Sequence, residues 1–238
     1  MPLILCHSPK GGVGTTFLAA HLAIFLARQG HEVAALDFTY QDALKLSFGL
    51  LPTQQLPEIL NPAFDPVVVA GVELFSAYGL RHGRDLTDLF GRENGAFFNR
   101  SKIFIADVAA GDRDMKEMLL PHAMLHICAL HPRPGSLAAL TKIQPGTATI
   151  ELPKTVFVLN HIDDTHRLSR HTHLFLTHLF GDRLIGTVRR DEAVNEAAAM
   201  FEPLDRFAPN SVALADLARL AAAVQRHCDL VVSADERP

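Results

Sequence analysis

Short, continuously apolar runs alternate along this chain with longer stretches whose apolar residues return every three or four positions. Residues 2–6 (PLILC), 33–37 (VAALD), 103–107 (IFIAD), 125–130 (LHICAL), 155–159 (TVFVL) and 184–188 (LIGTV) are runs of the first kind, and 72–76 (VELFS) is a weaker one. Unbroken apolar runs of this length are how strands covered on both faces read. Helical spacing marks about 15–29, 81–91, 113–119, 136–143, 166–180, 191–200 and 211–227, with Gly30 placed to end the first as a left-handed cap. The alternation predicts an α/β fold. It is a single three-layer domain over 1–238, with a mostly parallel sheet of seven or eight strands and helices on both faces. Prolines 52, 57, 62 and 66 make 49–71 the least regular stretch, read as a surface excursion, and 229–238 reads as a tail.

The first strand runs into SPKGGVGTT (8–16) and then into the first helix. A phosphate site needs this order, because glycines let the backbone turn its N–H groups inward and the helix N-terminus adds partial positive charge. Gly11, Gly12 and Gly14 supply the close approach, and Thr16 falls where a phosphate-loop hydroxyl meets Mg²⁺. The ordinary motif G-x-x-x-x-G-K-[ST] is not met: Pro9 stands at its first glycine and Thr15 at its lysine. The plainer reading is a tight glycine turn between strand and helix.

KGGVGTT resembles the deviant Walker A loop of the ParA/MinD family, usually written KGGxGK[ST]. The resemblance implies ATP and Mg²⁺ as cofactors. It assigns Lys10, Gly11, Gly12, Val13, Gly14, Thr15 and Thr16 to the phosphates. Lys10 matches the family's signature lysine, which often reaches a partner's nucleotide, so a homodimer with ATP between its subunits is implied. LDFTYQ resembles the family's D-x-D-P-Q segment and puts Asp37 near Mg²⁺. The second acid, which orients the attacking water, falls on Thr39, and a hydroxyl does not accept that proton at neutral pH. IFIADVAAG resembles the Walker B strand and its loop, with Asp107 toward Mg²⁺ and Gly111 toward the γ-phosphate. VFVLN resembles the strand whose last residue, here Asn160, recognises adenine. Read without the resemblance, Asp37 and Asp107 are also plain candidates for caps where strand meets loop.

Within that family, Thr15 together with DALKLSFGL (42–50), RRDEAVNEA (189–197) and FAPNS (207–211) resembles the ParA-like proteins of bacterial cellulose-synthesis operons. This implies an accessory role with components of the cellulose synthase complex, weak or absent hydrolysis, and recruitment to the inner membrane through partners. A net charge of −4 gives no basic footprint for nucleic acid. Residues 204–238 balance their arginines with acids, against a DNA-partitioning role, and SADERP is not a basic amphipathic membrane anchor. No stretch approaches the roughly 20 apolar residues of a membrane span. Cys6, Cys128 and Cys228 form no CxxC, which points to reduced thiols and a cytoplasmic setting rather than an iron–sulfur centre. His166, His171, His173 and His178 read as solvated or capping residues, since zinc sites on helices favour i,i+4 pairs with an acid. Arg133, in HPRP after a strand, fits a dimer seam or open solvent equally.

Overall fold

The computed structural model describes residues 2–59, 65–82, 101–143, 152 and 154–230. Strands β1 (Leu3–Cys6), β2 (Val33–Asp37), β3 (Val67–Val69), β4 (Val72–Ser76), β5 (Ile103–Asp107), β6 (Leu125–Leu130), β7 (Thr155–Ile162) and β8 (Leu184–Arg189) form one sheet in the order β3-β4-β2-β5-β1-β6-β7-β8. All neighbours are parallel except β3 and β4. Among the described residues the α-helices are α1 (Thr15–Arg28), α2 (Arg113–Leu119), α3 (Pro134–Ala138), α4 (Arg167–Phe180), α5 (Ala193–Ala199), α6 (Leu204–Phe207) and α7 (Val212–His227).

Alternate residues of each strand feed opposite layers. Ile4 and Cys6 join the core built with Leu18, Leu22 and Leu26 of α1 and Leu217 and Leu220 of α7. Leu3 and Leu5 face the other way, onto Phe104 and onto Met115 and Leu119 of α2. Further along that face, Phe157 and Leu159 pack with Leu176 and Phe180 of α4. Each fully buried Leu or Phe contributes about 1.5–3 kcal/mol, so the two-sided core explains why the strands carry no polar alternation.

The sheet order brings three carboxyl ends together. β5 lies between β2 and β1, with Asp37 opposite Asp107 and Cys6 opposite Asp107 in register. Open parallel sheets place ligands beyond this edge. One site can therefore draw on the ends of β1, β2 and β5.

The element limits differ in places. Val67–Val69, within the expected surface excursion, pairs with β4 at the sheet edge. The helix expected at 136–143 is the short α3 followed by a 3₁₀ segment, Ala139–Lys142. β7 runs past Leu159 to Ile162. Gly30 does adopt a left-handed φ of 92° after α1, and its N–H donates to the Ala27 carbonyl. The helix expected at 81–91 lies almost wholly outside the described residues.

Candidate nucleotide site

The loop between β1 and α1 depends on two left-handed glycines, Gly12 (φ 74°) and Gly14 (φ 86°). Gly14 is also the N-cap of α1, and its carbonyl accepts the first helical hydrogen bond, from Leu18. A side chain at Gly14 is excluded twice: the backbone favours glycine, and an added Cβ would lie 2.2 Å from Nδ2 of Asn160. That Asn160 amide donates to the Val13 carbonyl at 2.9 Å and accepts from the His161 N–H at 2.9 Å. Asn160 is therefore a brace holding the loop against the end of β7. Val13 is buried beneath the loop, Thr15 and Thr16 are half-buried, and Lys10, Gly11 and Gly12 are exposed.

Asp37 and Asp107 are both 1% exposed. Asp37 is satisfied. Its Oδ1 accepts from the Thr39 amide at 2.7 Å and the Thr39 hydroxyl at 2.6 Å, and its Oδ2 accepts from Leu44 N at 3.0 Å. Burial raises its pKa while these bonds pull it back down. Thr39, where the resemblance expects an acid, thus fixes the Asp37 carboxylate. Asp107 is the opposite case: both carboxylate oxygens are buried without a hydrogen-bond partner. Burial, with the nearby Asp37 charge, pushes its pKa up to about 7. The Thr16 hydroxyl is close enough to lower it, without closing a hydrogen bond of ordinary geometry.

An orphaned buried carboxylate is costly unless something binds it. Oxygen donors from Asp107, Asp37 and a hydroxyl suit a hard cation such as Mg²⁺, which is held by one or two carboxylates with phosphate oxygens and waters rather than by a full protein cage. Among the described residues, no cluster of three or more His, Cys, Asp or Glu is placed to hold a metal unaided. The residues therefore fit Mg²⁺ carried in with a phosphate ligand. Cys6 and Cys128 sit inside core strands, where burial raises both thiols, Cys128 to about 12, so neither is a ready thiolate.

Gly11 stands 3.9 Å, measured from an added Cβ, from the Ala110 side chain, so the loop after β5 flanks the glycine loop. Gly111 beside it is exposed, and a Cβ there would touch nothing within 4 Å, leaving open space on that side.

A cavity of about 440 Å³ opens beside Gly12, lined also by His131, Arg133, His161, Arg190 and Asn195. Its volume is in the range of small-ligand pockets. His131 and His161 stack at 5.0 Å between ring centroids. Burial and the positive charges of Arg133 and Arg190 lower both pKa values, His131 to about 4, so the pair is neutral at pH 7. Sequence reasoning gave His161, Arg190 and Asn195 no role. His161 lies near the end of β7, Arg190 just after β8 and Asn195 in α5, and only their nearness to the ends of β7 and β8 pointed to the site edge. Asn160 itself turns into the glycine loop.

A parallel sheet, a left-handed glycine loop opening a helix, and a buried orphaned carboxylate at the adjacent strand end define a phosphate-loop nucleotide-binding protein. The family model CbiA, described as the CobQ/CobB/MinD/ParA nucleotide binding domain, matches residues 4–204, and the chain belongs to that family. Solved structures share the fold. The septum site-determining protein MinD of Pyrococcus horikoshii OT3, complexed with Mg-ADP, superimposes with a TM-score of 0.72 at 18% identity, over 94% of this chain and 96% of that one. A ParA family ATPase from Chlorobium tepidum TLS gives 0.73 at 18%, over 93% and 97%. An ATP complex of Cyanothece McdA gives 0.71 at 14%, over 97% of each chain. No curated protein sequence matches the chain. Among the described residues, no helix is long and apolar enough to cross a membrane.

Proposed function

We propose that the chain binds Mg·ATP at residues 10–16 and acts as a dimerising accessory protein of bacterial cellulose synthesis, of the BcsQ (YhjQ) type. The observation that carries the nucleotide reading is the Asp107 carboxylate, buried and unpartnered at the foot of the glycine loop. In this reading the backbone of Gly11–Thr15 cradles the phosphates. Thr16, Asp37 and Asp107 hold Mg²⁺, partly through water, and Gly111 leaves room at the γ-phosphate. The cation would neutralise phosphate charge. The base lies in the cavity beside Gly12, bordered by the end of β7. For Asn160 to recognise adenine, its amide must let go of Val13, whereas His161 lines the cavity directly. The MinD and McdA structures named above hold Mg-ADP and ATP, which supports this class of ligand.

The cellulose reading rests on the resemblance of residues 42–50, 189–197 and 207–211. Two of those stretches meet in space: Asp191 of RRDEAV accepts from the Ser211 hydroxyl of FAPNS at 2.6 Å and from Val212 N at 3.0 Å. Leu44 and Phe48 of LKLSF are buried against the α1 layer. The second reading is a ParA/MinD-like ATPase that partitions DNA or positions another complex, and likeness to MinD, ParA and McdA favours it. Deleting the gene in its host separates them. The first reading expects reduced or misplaced cellulose secretion, while normal cellulose with anucleate cells or minicells would support the second.

Lys10 is exposed on the loop and outside the core, and in this reading it reaches a partner's nucleotide. A triphosphate enclosed between subunits without cations carries a large desolvation cost. Lys10→Ala is therefore expected to weaken Mg·ATP-dependent dimerisation in light scattering while leaving the melting temperature unchanged. Phosphate release from the same wild-type samples should be slow. Thr39 offers no carboxylate, Thr15 offers no ammonium, and losing one preorganised charge costs roughly a hundredfold or more in rate. Equal dimerisation of both proteins, or turnover at ordinary enzyme rates, contradicts these assignments.

A further inference from the structure

The substitution of Thr15 removes from the loop a cation that a bound polyphosphate needs, and the fold offers another from a different element. Arg133 precedes α3 as its N-cap residue, at the end of the turn after β6. The turn lies against the glycine loop: the Lys10 side chain comes within 4.0 Å of the position a Cβ would take at Gly135. Arg133 and Gly12 line the same cavity. Its positive field reaches both imidazoles of the His131–His161 stack on the cavity wall.

Two arginines, Arg133 and Arg190, line this space, and Lys10 lies on the adjoining loop. Arg190 lies 3.5 Å from Glu192, which offsets its charge. Lys10 is exposed, with its stem along the Gly135 turn. Arg133 is exposed too and, like Lys10, has no acidic partner among the described residues. Its planar fork matches two phosphate oxygens at once, which a lysine does not do. A guanidinium with no acidic partner among the described residues therefore stands beside the glycine loop, where Thr15 leaves the charge short.

We propose that Arg133 of the same subunit contacts the diphosphate portion of the bound nucleotide and supplies the phosphate-neutralising charge that Thr15 does not. This rests on the reading of residues 10–16 as a nucleotide loop. It explains how the loop tolerates Thr15. It also gives the turn after β6 a binding role within one subunit, distinct from any role at a dimer seam.

The test uses Mg·ADP and adenosine as probes, so that binding is not coupled to triphosphate-dependent dimerisation. Calorimetry on the full chain compares wild type, Arg133→Ala, Arg133→Lys and the double variant Arg133→Ala/Thr15→Lys. Arg133→Ala is expected to raise the Kd for Mg·ADP about tenfold or more, the order lost with a charge-assisted phosphate contact. Adenosine affinity should stay within about twofold. Arg133→Lys should recover part of the loss, and Thr15→Lys should restore binding in the alanine background. A Kd for Mg·ADP that Arg133→Ala leaves unchanged overturns the proposal while the nucleotide reading stands. So does a parallel loss for adenosine, which would place Arg133 at the base end. A wild-type protein that binds neither probe overturns both.

Discussion

Gly14→Ala is expected to destabilise the protein by about 3–6 kcal/mol and to weaken Mg·ATP binding roughly a hundredfold or more. Three effects add at this position. Alanine at φ 86° is strained by about 1–2 kcal/mol. The new Cβ, 2.2 Å from the Asn160 amide, must push that side chain off the Val13 carbonyl. The lost bond is worth about 1 kcal/mol and leaves a buried amide unsatisfied at a further cost of about 1–3 kcal/mol. The affinity loss follows from displaced loop N–H groups, since misplacing a preorganised set by about 1 Å costs that order. Gly111→Ala is the control. Nothing lies within 4 Å of its Cβ position, and its melting curve should match wild type. A Gly14→Ala protein that melts like wild type and still binds nucleotide would mean that the loop does not take this shape.

Asp107→Asn should make the metal-free protein more stable at pH 8, while removing its response to Mg·ATP. The direction follows from when the carboxyl loses its proton. The pKa of Asp107 rises from the ordinary carboxylate value of 3.8 to about 7 on folding, so the unfolded chain ionises first. Its carboxylate therefore costs stability progressively as pH rises from about 4 to 7, and the cost saturates above 7. A tenfold change in proton affinity corresponds to about 1.4 kcal/mol, which makes the full cost about 4 kcal/mol. Asparagine leaves a buried amide but no charge, so a net gain of about 2 kcal/mol is expected, or roughly 4–8 °C in melting temperature for a chain of this size. The gain should shrink as pH falls toward about 4, where wild-type Asp107 is neutral in both states. His7, His21 and His126 are buried, and their pKa values fall to about 4, about 4 and about 3. They destabilise the fold below about pH 6.5, but equally in both proteins, so the difference between the two isolates Asp107. A less stable Asp107→Asn at pH 8 would show that the carboxylate is satisfied structurally and is not waiting for a cation.

What the sequence conveyed, and what it did not, follows from how local each feature is. β1, β2 and β5 are unbroken apolar runs ending at Cys6, Asp37 and Asp107, and such runs signal a two-sided core without any knowledge of pairing. β3 is only Val67–Val69, and its pairing with β4 depends on a turn through Ala70 (φ 53°) and Gly71 (φ 78°) that hydrophobic spacing does not report. Apolar spacing over 136–143 cannot separate an α-helix from the 3₁₀ segment that follows Ala138. Thr39 reads in sequence only as a missing acid. That its hydroxyl and amide both fix Asp37 depends on the turn beyond β2. Likewise Asn160 reads as a base-recognition residue, while its bond to Val13 joins residues far apart in the chain. The His131–His161 stack and Arg190 come from three separate strand ends, and no spacing rule links them.

The central claim, that residues 10–16 with Asp107 form a Mg·ATP site, is tested most directly by the thermal unfolding of wild-type protein with ATP, with Mg²⁺, and with both. A ligand bound only by the folded state at about a hundred times its Kd stabilises by about 2.7 kcal/mol. An upward shift of several degrees is expected with Mg²⁺ and ATP together, little with either alone, and none in Asp107→Asn. A wild-type melting temperature unmoved by millimolar Mg·ATP, or a shift that Asp107→Asn retains in full, would contradict it.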